Sequence, residues 1–421
     1  MLLQEKNFEE ENQKFSVKLE KPVDRLQKKK YFQKIRKVNF IWFSIVFVLI
    51  ALLSGGSSMS VLAREKSVYL FAKADTESTD ETAAEAQADR ELAAEYQAYQ
   101  DRLWAVETRR DIVGSGFTVI EDQVFPIETE CFGSVNLVPA MEEKYHRLVL
   151  FLTTEEGNVV YRTDQLAANS WNIGSLEQPI RGISAVSFQD LNADGRMDIV
   201  LIVDCRNKTG TYAGKSYKVG DVLFQSDEGF YRDYRIADKI NRFGMNKSAE
   251  SIIAYVRDGY STEFLYTAST KAELLRKGFK ITAEQDYSRQ FEKLGYLEVM
   301  PGSYTMAEFA TFMIYLVDEQ GDIVWSFQPM GDFDNLYALK GITCRDIDGD
   351  GMKDILVLAR YSYAGSKNEV LTKADYAIYY QRTGGFETDT EVKKKVFCND
   401  EDTVAGLVEK ARAYWGWSPE T

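Results

Sequence analysis

The chain has 421 residues, a formal net charge of −14 and a single histidine, His146. Its length suggests two or three domains, and a 45% hydrophobic, 13% aromatic composition excludes a wholly disordered protein. The acidic balance argues against a nucleic-acid partner, which needs a basic face, and one histidine rules out a His-rich metal site.

Charge is unevenly placed. Residues 1–37 carry 11 Lys/Arg and 6 Asp/Glu, residues 38–63 carry no charge, and the rest holds −19. The apolar run at 38–53 (VNFIWFSIVFVLIALL) is extended by small uncharged residues to about 60, long enough for a spanning helix. Lys28, Lys29, Lys30, Lys34, Arg36 and Lys37 crowd its N-terminal flank, so the positive-inside rule places 1–37 in the cytoplasm and the body outside. A cleaved signal peptide ending at Val61-Leu62-Ala63 is the competing reading. The long charged leader and the lack of a Cys just after the run favour an uncleaved single-pass anchor over 38–60. Residues 61–91, acidic and Ala-rich, suit a solvated stalk.

Leu92, Tyr96, Tyr99, Leu103 and Val106 follow at spacings of 4, 3, 4 and 3, which predicts a helix with one apolar stripe. The stripe suits either a dimerising coiled coil or, better for so short a seam, packing on the neighbouring domain.

From here the chain repeats itself. Residues 116–140 align without gaps on 278–302, with identities Gly116/Gly278, Phe117/Phe279, Gln123/Gln285, Gly133/Gly295 and Pro139/Pro301. The runs at 148–152, 190–203 and 222–230 find partners at 312–316, 346–359 and 378–386 in the same order. The body is therefore two duplicated β-rich units, 92–240 and 278–421, joined by a helical connector at 241–277. The fold class expected is mainly β with minor α behind the N-terminal transmembrane helix. The units form either two domains, each with a helix, or a small or incomplete propeller. Turn sequences at 155–158, 319–322, 226–229 and 382–385 mark hairpins. Thr108-x-x-Asp111 and Thr270-x-x-Glu273 mark a short helix opening each unit.

Two acidic loops carry the chemistry: Asp190-x-Asn192-x-Asp194-Gly195-x-x-Asp198 and Asp346-x-Asp348-x-Asp350-Gly351-x-x-Asp354. Oxygens at positions 1, 3, 5 and 9, with the backbone carbonyls of Arg196 and Met352 at position 7, can wrap a hard cation, and Gly at position 6 permits the turn. Position 12 is Leu201 or Val357 rather than a bidentate Glu, and each loop runs into a strand rather than a helix. The loops and their strands resemble the FG-GAP/VCBS-type calcium loops of integrin-like β-propeller proteins. The resemblance implies Ca²⁺ at Asp190, Asn192, Asp194 and Asp198, and at Asp346, Asp348, Asp350 and Asp354, and by analogy adhesion or ligand display at a cell surface. Four aspartates against three predict tighter binding at the second loop.

Other features are less directive. Cys131, Cys205, Cys344 and Cys398 occupy non-equivalent positions, leaving three disulfide pairings or free thiols open. Tyr414, Trp415 and Trp417 suit either sugar stacking or cover for a core edge. Asn207 and Asn246 open glycosylation sequons. The leading expectation is a membrane-anchored, outward-facing calcium-binding protein acting in binding, adhesion or structural interaction with a protein or glycan ligand. The runner-up is a cell-envelope, glycan-directed hydrolase or its accessory domain, although no nucleophile–base arrangement is visible.

Overall fold

The computed structural model describes residues 80–142, 144, 146–169, 178–206, 216–331, 333–364 and 369–417. The expected membrane segment at 38–60 lies outside them. Among the described residues, no helix is long and apolar enough to cross a membrane.

The first helix, α1 (Asp80–Trp104), takes in the last part of the expected stalk as well as the apolar seam, as the high helix propensity of Ala and Glu favours. Tyr99, Leu103 and the following Val106 are 1%, 2% and 0% exposed against a sheet, so at these positions the seam is covered within the chain. A capping box closes on Thr108 and Asp111 and starts α2 (Arg109–Gly114).

A five-stranded antiparallel sheet follows: β1 (Phe117–Val119), β2 (Phe125–Thr129), β3 (Gly133–Glu142), β4 (Leu148–Thr153) and β5 (Val159–Thr163), with β1 and β2 both pairing with β3. A four-stranded antiparallel sheet comes next, in the order β6 (Gln178–Gln189), β7 (Asp198–Arg206), β8 (Ser216–Ser226), β9 (Gly229–Tyr231). Helices α3 (Tyr234–Arg242), α4 (Ala249–Val256), α5 (Phe264–Thr267) and α6 (Lys271–Arg276) form the connector. They begin several residues before the boundary read from sequence, because Asp233 already caps α3 by accepting from Arg235 N–H.

The second copy repeats the order. Its five-stranded sheet is β10 (Lys280–Ile281), β11 (Tyr287–Phe291), β12 (Gly295–Met306), β13 (Phe309–Val317) and β14 (Ile323–Phe327). Its four-stranded sheet is β15 (Asn335–Arg345), β16 (Asp354–Ala364), β17 (Val370–Arg382) and β18 (Gly385–Glu387), followed by α7 (Thr390–Lys395) and α8 (Val404–Trp415). None of the four sheets closes on itself.

Period-2 alternation explains the uninterrupted apolar strands. On β4, Leu148, Leu150 and Leu152 face the second sheet, while Val149 and Phe151 face α1 and α2. On β7, Ile199, Leu201 and Val203 face inward, and Val200 and Ile202 face α3 and α4. The second copy does the same: β16 sends Ile355 and Val357 between the sheets, and Leu356 and Leu358 toward α7 and α8. Each copy is thus helix, sheet, sheet, helix, and the central strands β4, β7, β13 and β16 are buried on both faces. The connector belongs to both copies. Ile240 and Ile252 cover the outer face of the first copy's β7 and β8, Phe264, Leu265 and Leu274 cover β12 and β13, and Tyr255 packs against both clusters.

The internal identities recur as contacts. Gln123 and Gln285 each reach from the short 3₁₀ turn after the first strand to a backbone group of the next sheet, at Ile183 and Ile342. The carbonyls of Pro139 and Pro301 accept from Ile120 and Thr282 N–H, both at 2.9 Å.

Candidate metal centre

Both acidic loops are the hairpins that join the first two strands of a four-stranded sheet, β6 to β7 and β15 to β16. Each turns back on itself around its first aspartate. Asp190 accepts from Asp194 and Gly195 N–H at 3.2 and 2.9 Å, and Asp346 from Gly349 and Gly351 N–H at 2.8 and 3.0 Å. Gly195 and Gly351 both sit at φ +82°, the left-handed backbone that the turn at position 6 requires.

The ninth residue of each loop opens the exit strand and is fully buried: Asp198 and Asp354 are 0% exposed. Asp198 accepts from Leu191 and Gln225 N–H, both at 2.9 Å; Asp354 accepts from Ile347 and Gln381 N–H at 2.8 and 2.9 Å. Burial pushes both carboxyls above their ordinary range, Asp354 to about 7, and the neighbouring loop carboxylates add to the effect, while the N–H donors oppose it. A nearby cation would relieve that cost.

The remaining ligand candidates separate the loops. In the second, Asp346, Asp348 and Asp354 each bring a carboxylate oxygen to within 4.8 Å of the others. The Asp348 side chain is 8% exposed, its Oδ2 accepts from Arg382 at 2.8 Å, and its Oδ1 is buried with no hydrogen-bond partner. A carboxylate oxygen withdrawn from water without a donor is costly, and Asp348 is one of the three gathered aspartates. Asp350 accepts from Met352 N–H at 2.8 Å through Oδ1 and from Arg382 at 3.0 Å through Oδ2, and falls outside the gathered set. In the first loop, Asn192 donates to Asp194 Oδ2 and accepts from Asp194 N–H, both at 3.1 Å, and Arg196 N–H donates to Asp194 Oδ1 at 2.9 Å. Asp190, Asn192 and Asp194 are thereby laced together by hydrogen bonds, while Asp198 is held separately by Leu191 and Gln225 N–H. Arg196 and Met352, at position 7 of their loops, are each tied through their own N–H to the position-5 carboxylate.

Four supporting residues were not among the expected ligands. Glu130 Oε2 accepts from Met197 N–H at 3.1 Å and from Gln225 Nε2 at 3.0 Å; Glu292 Oε2 accepts from Lys353 N–H at 2.8 Å and from Gln381 Nε2 at 3.0 Å. Each glutamate therefore ties the loop to the first sheet of its copy. The Met197 N–H holds Glu130 below the usual carboxylate range. Burial alone would raise Glu292, but the Lys353 ammonium and N–H outweigh it and bring it down to about 2. The signal was present: the gapless alignment places Glu130 on Glu292, and the matched run at 222–230 places Gln225 on Gln381.

The tail reinforces only the second loop. Arg412 donates twice to the Asp346 carbonyl, at 3.0 and 2.7 Å, and Trp417 Nε1 donates to the Ile347 carbonyl at 2.7 Å. The Trp417 ring lies so close to Gly349 that a Cβ there would meet it at 3.0 Å. Trp415 donates to Tyr380 Oη at 3.0 Å. The aromatic tail therefore covers its own sheet and loop. All four cysteines are free thiols; burial pushes Cys205 up to about 12 and Cys344 and Cys398 to about 11. Asn246 donates its amide to the Lys218 carbonyl at 2.6 Å, whereas Asn207 lies outside the described residues.

A cavity of about 350 Å³ beside α1 is lined by Glu95, Tyr99, Arg102, Glu142 and Lys144, among others. Its charges pair with each other, Arg102 with Glu142 at 2.8 Å and Lys144 with Glu95 at 3.0 Å. No protein-family model matches this chain, and no curated protein sequence matches it.

Proposed function

We propose that the protein is a membrane-anchored, extracytoplasmic calcium-binding protein whose duplicated body serves binding or structural interaction, with the cation as a staple of its hairpins. The buried, unpartnered Asp348 Oδ1 among the gathered carboxylates of Asp346 and Asp354 carries this reading. The hard oxygen ligands and the FG-GAP/VCBS-like spacing favour Ca²⁺ over softer-site metals. The charge step across 38–60 supports an outward-facing body. A hydrolase would need convergent polar groups free to meet substrate, and the lining of the cavity beside α1 is instead engaged in ion pairs.

Extracellular calcium modules bind at about 0.1–1 mM, and a site occupied at about ten times its Kd contributes about 1.4 kcal/mol. Thermal melts of the full chain in CaCl₂ and in excess EDTA test the reading. Calcium should raise the midpoint, EDTA should reverse the shift, and Asp354→Asn should reduce it. A midpoint indifferent to both reagents, with the native circular dichroism intact, overturns it.

A further inference from the structure

The two loops differ in one cation that the chain itself supplies. Arg382, the last residue of β17, reaches back across its sheet and donates to Asp348 Oδ2 at 2.8 Å and to Asp350 Oδ2 at 3.0 Å. Its position in the first copy, counted along the matched strands β8 and β17, is taken by Ser226. The first loop's own arginine, Arg196, is drawn away to Asp227 at 2.6 Å. The second loop therefore carries four aspartates and a guanidinium, and the first carries three aspartates with no such partner among the described residues.

We infer that Arg382 is an internal competitor that sets the cation affinity of the second loop, holding Asp350 out of the ligand set until it moves aside. Two observations support this beyond the acidity of the loop. Asp348, one of the three gathered aspartates, keeps Oδ1 buried and unpartnered while giving Oδ2 to Arg382. Asp350 has Oδ1 on Met352 N–H and Oδ2 on Arg382, so it joins the cation only by releasing the guanidinium. A place for the released group exists: Arg382 Nε is already 3.7 Å from Glu387 Oε2, and Glu387 is exposed. At these short ranges a fixed positive charge opposes a second cation directly. The extra aspartate of the second loop is thus offset, and the affinity advantage expected from its charge is withheld.

The inference rests on the calcium reading, and the test separates the two. In the full chain with Asp194→Ala weakening the first loop, CaCl₂ is titrated calorimetrically into the Arg382, Arg382→Ala and Arg382→Lys forms, and each is melted in EDTA. Arg382→Ala should bind about tenfold tighter or better, Arg382→Lys should fall between, and the EDTA melting midpoint of Arg382→Ala should drop. Tighter binding with a less stable metal-free fold is a pair of opposite shifts that loss of a merely structural ion pair does not give. Ser226→Arg, with Asp350→Ala weakening the second loop, should loosen the first. Calcium binding that Arg382→Ala leaves unchanged or weakens, in a chain of native circular dichroism, overturns this inference and spares the calcium reading. No binding heat in any form overturns both.

Discussion

Lys247 carries an ammonium group that the fold largely withdraws from water, donating to the Asp334 carbonyl beside the Phe309 ring. Burial brings its pKa down from 10.5 to about 8, against the pull of Asp334. Below about pH 8 the folded protein keeps a poorly solvated charge. Between about 8 and 10.5 the folded form releases its proton while the unfolded chain retains it, so this residue's contribution to stability rises with pH. Lys247→Met should melt higher than the parent at pH 7, and the gap should narrow by pH 10; a gap independent of pH refutes the assignment. At the same scale, the acidic loop residues were legible because they recur at fixed spacing within nine positions. Arg382 was not, since nothing in the 346–354 stretch says which distant side chain folds back onto it.

The helix α1 is bound to the first sheet by both apolar and polar contacts. Tyr99 and Leu103 are buried, Tyr99 Oη donates to Asp164 at 3.0 Å, and Arg102 pairs with the fully buried Glu142. Leu→Ala at a well-packed site costs about 2–5 kcal/mol. Leu103→Ala should therefore lower stability by about 2–4 kcal/mol and speed amide exchange in α1 and β4 first. If exchange rises evenly over both copies, α1 is not the local unit claimed. The seam at 92–106 showed an amphipathic helix in sequence, yet periodicity alone is identical for a coiled coil and for a helix lying on a sheet. Only the position of Phe117, Val149 and Phe151 beneath it decides between them.

Across the whole molecule, the connector makes the two copies interdependent. Tyr255 packs against the cluster over β7 and β8 and against the cluster over β12 and β13. The copies should consequently unfold in one thermal transition. Tyr255→Ala should lower that midpoint and raise amide exchange in β7 and β13 together; two resolved transitions, or exchange confined to one copy, would show the copies to be independent. Sequence alone did not show that one helical layer meets both copies, because an apolar helix face does not name the sheet it covers.

What the residues alone determined was whatever depends on local spacing: the duplication, the four turn signals, the capping threonines and the oxygen ladder of both hairpins. Each is written within a dozen residues or repeated at one offset, so no long-range contact was needed to read it. Tertiary structure decided which face of each strand meets a helix, because strands buried on both sides lose the alternation that would reveal it. It also decided that the cysteines stay apart, that Glu130 and Glu292 brace the loops, and that Arg382 meets Asp348 and Asp350. Those pairings join residues roughly 30 to 70 positions apart, and only closure of the chain brings them within hydrogen-bonding distance.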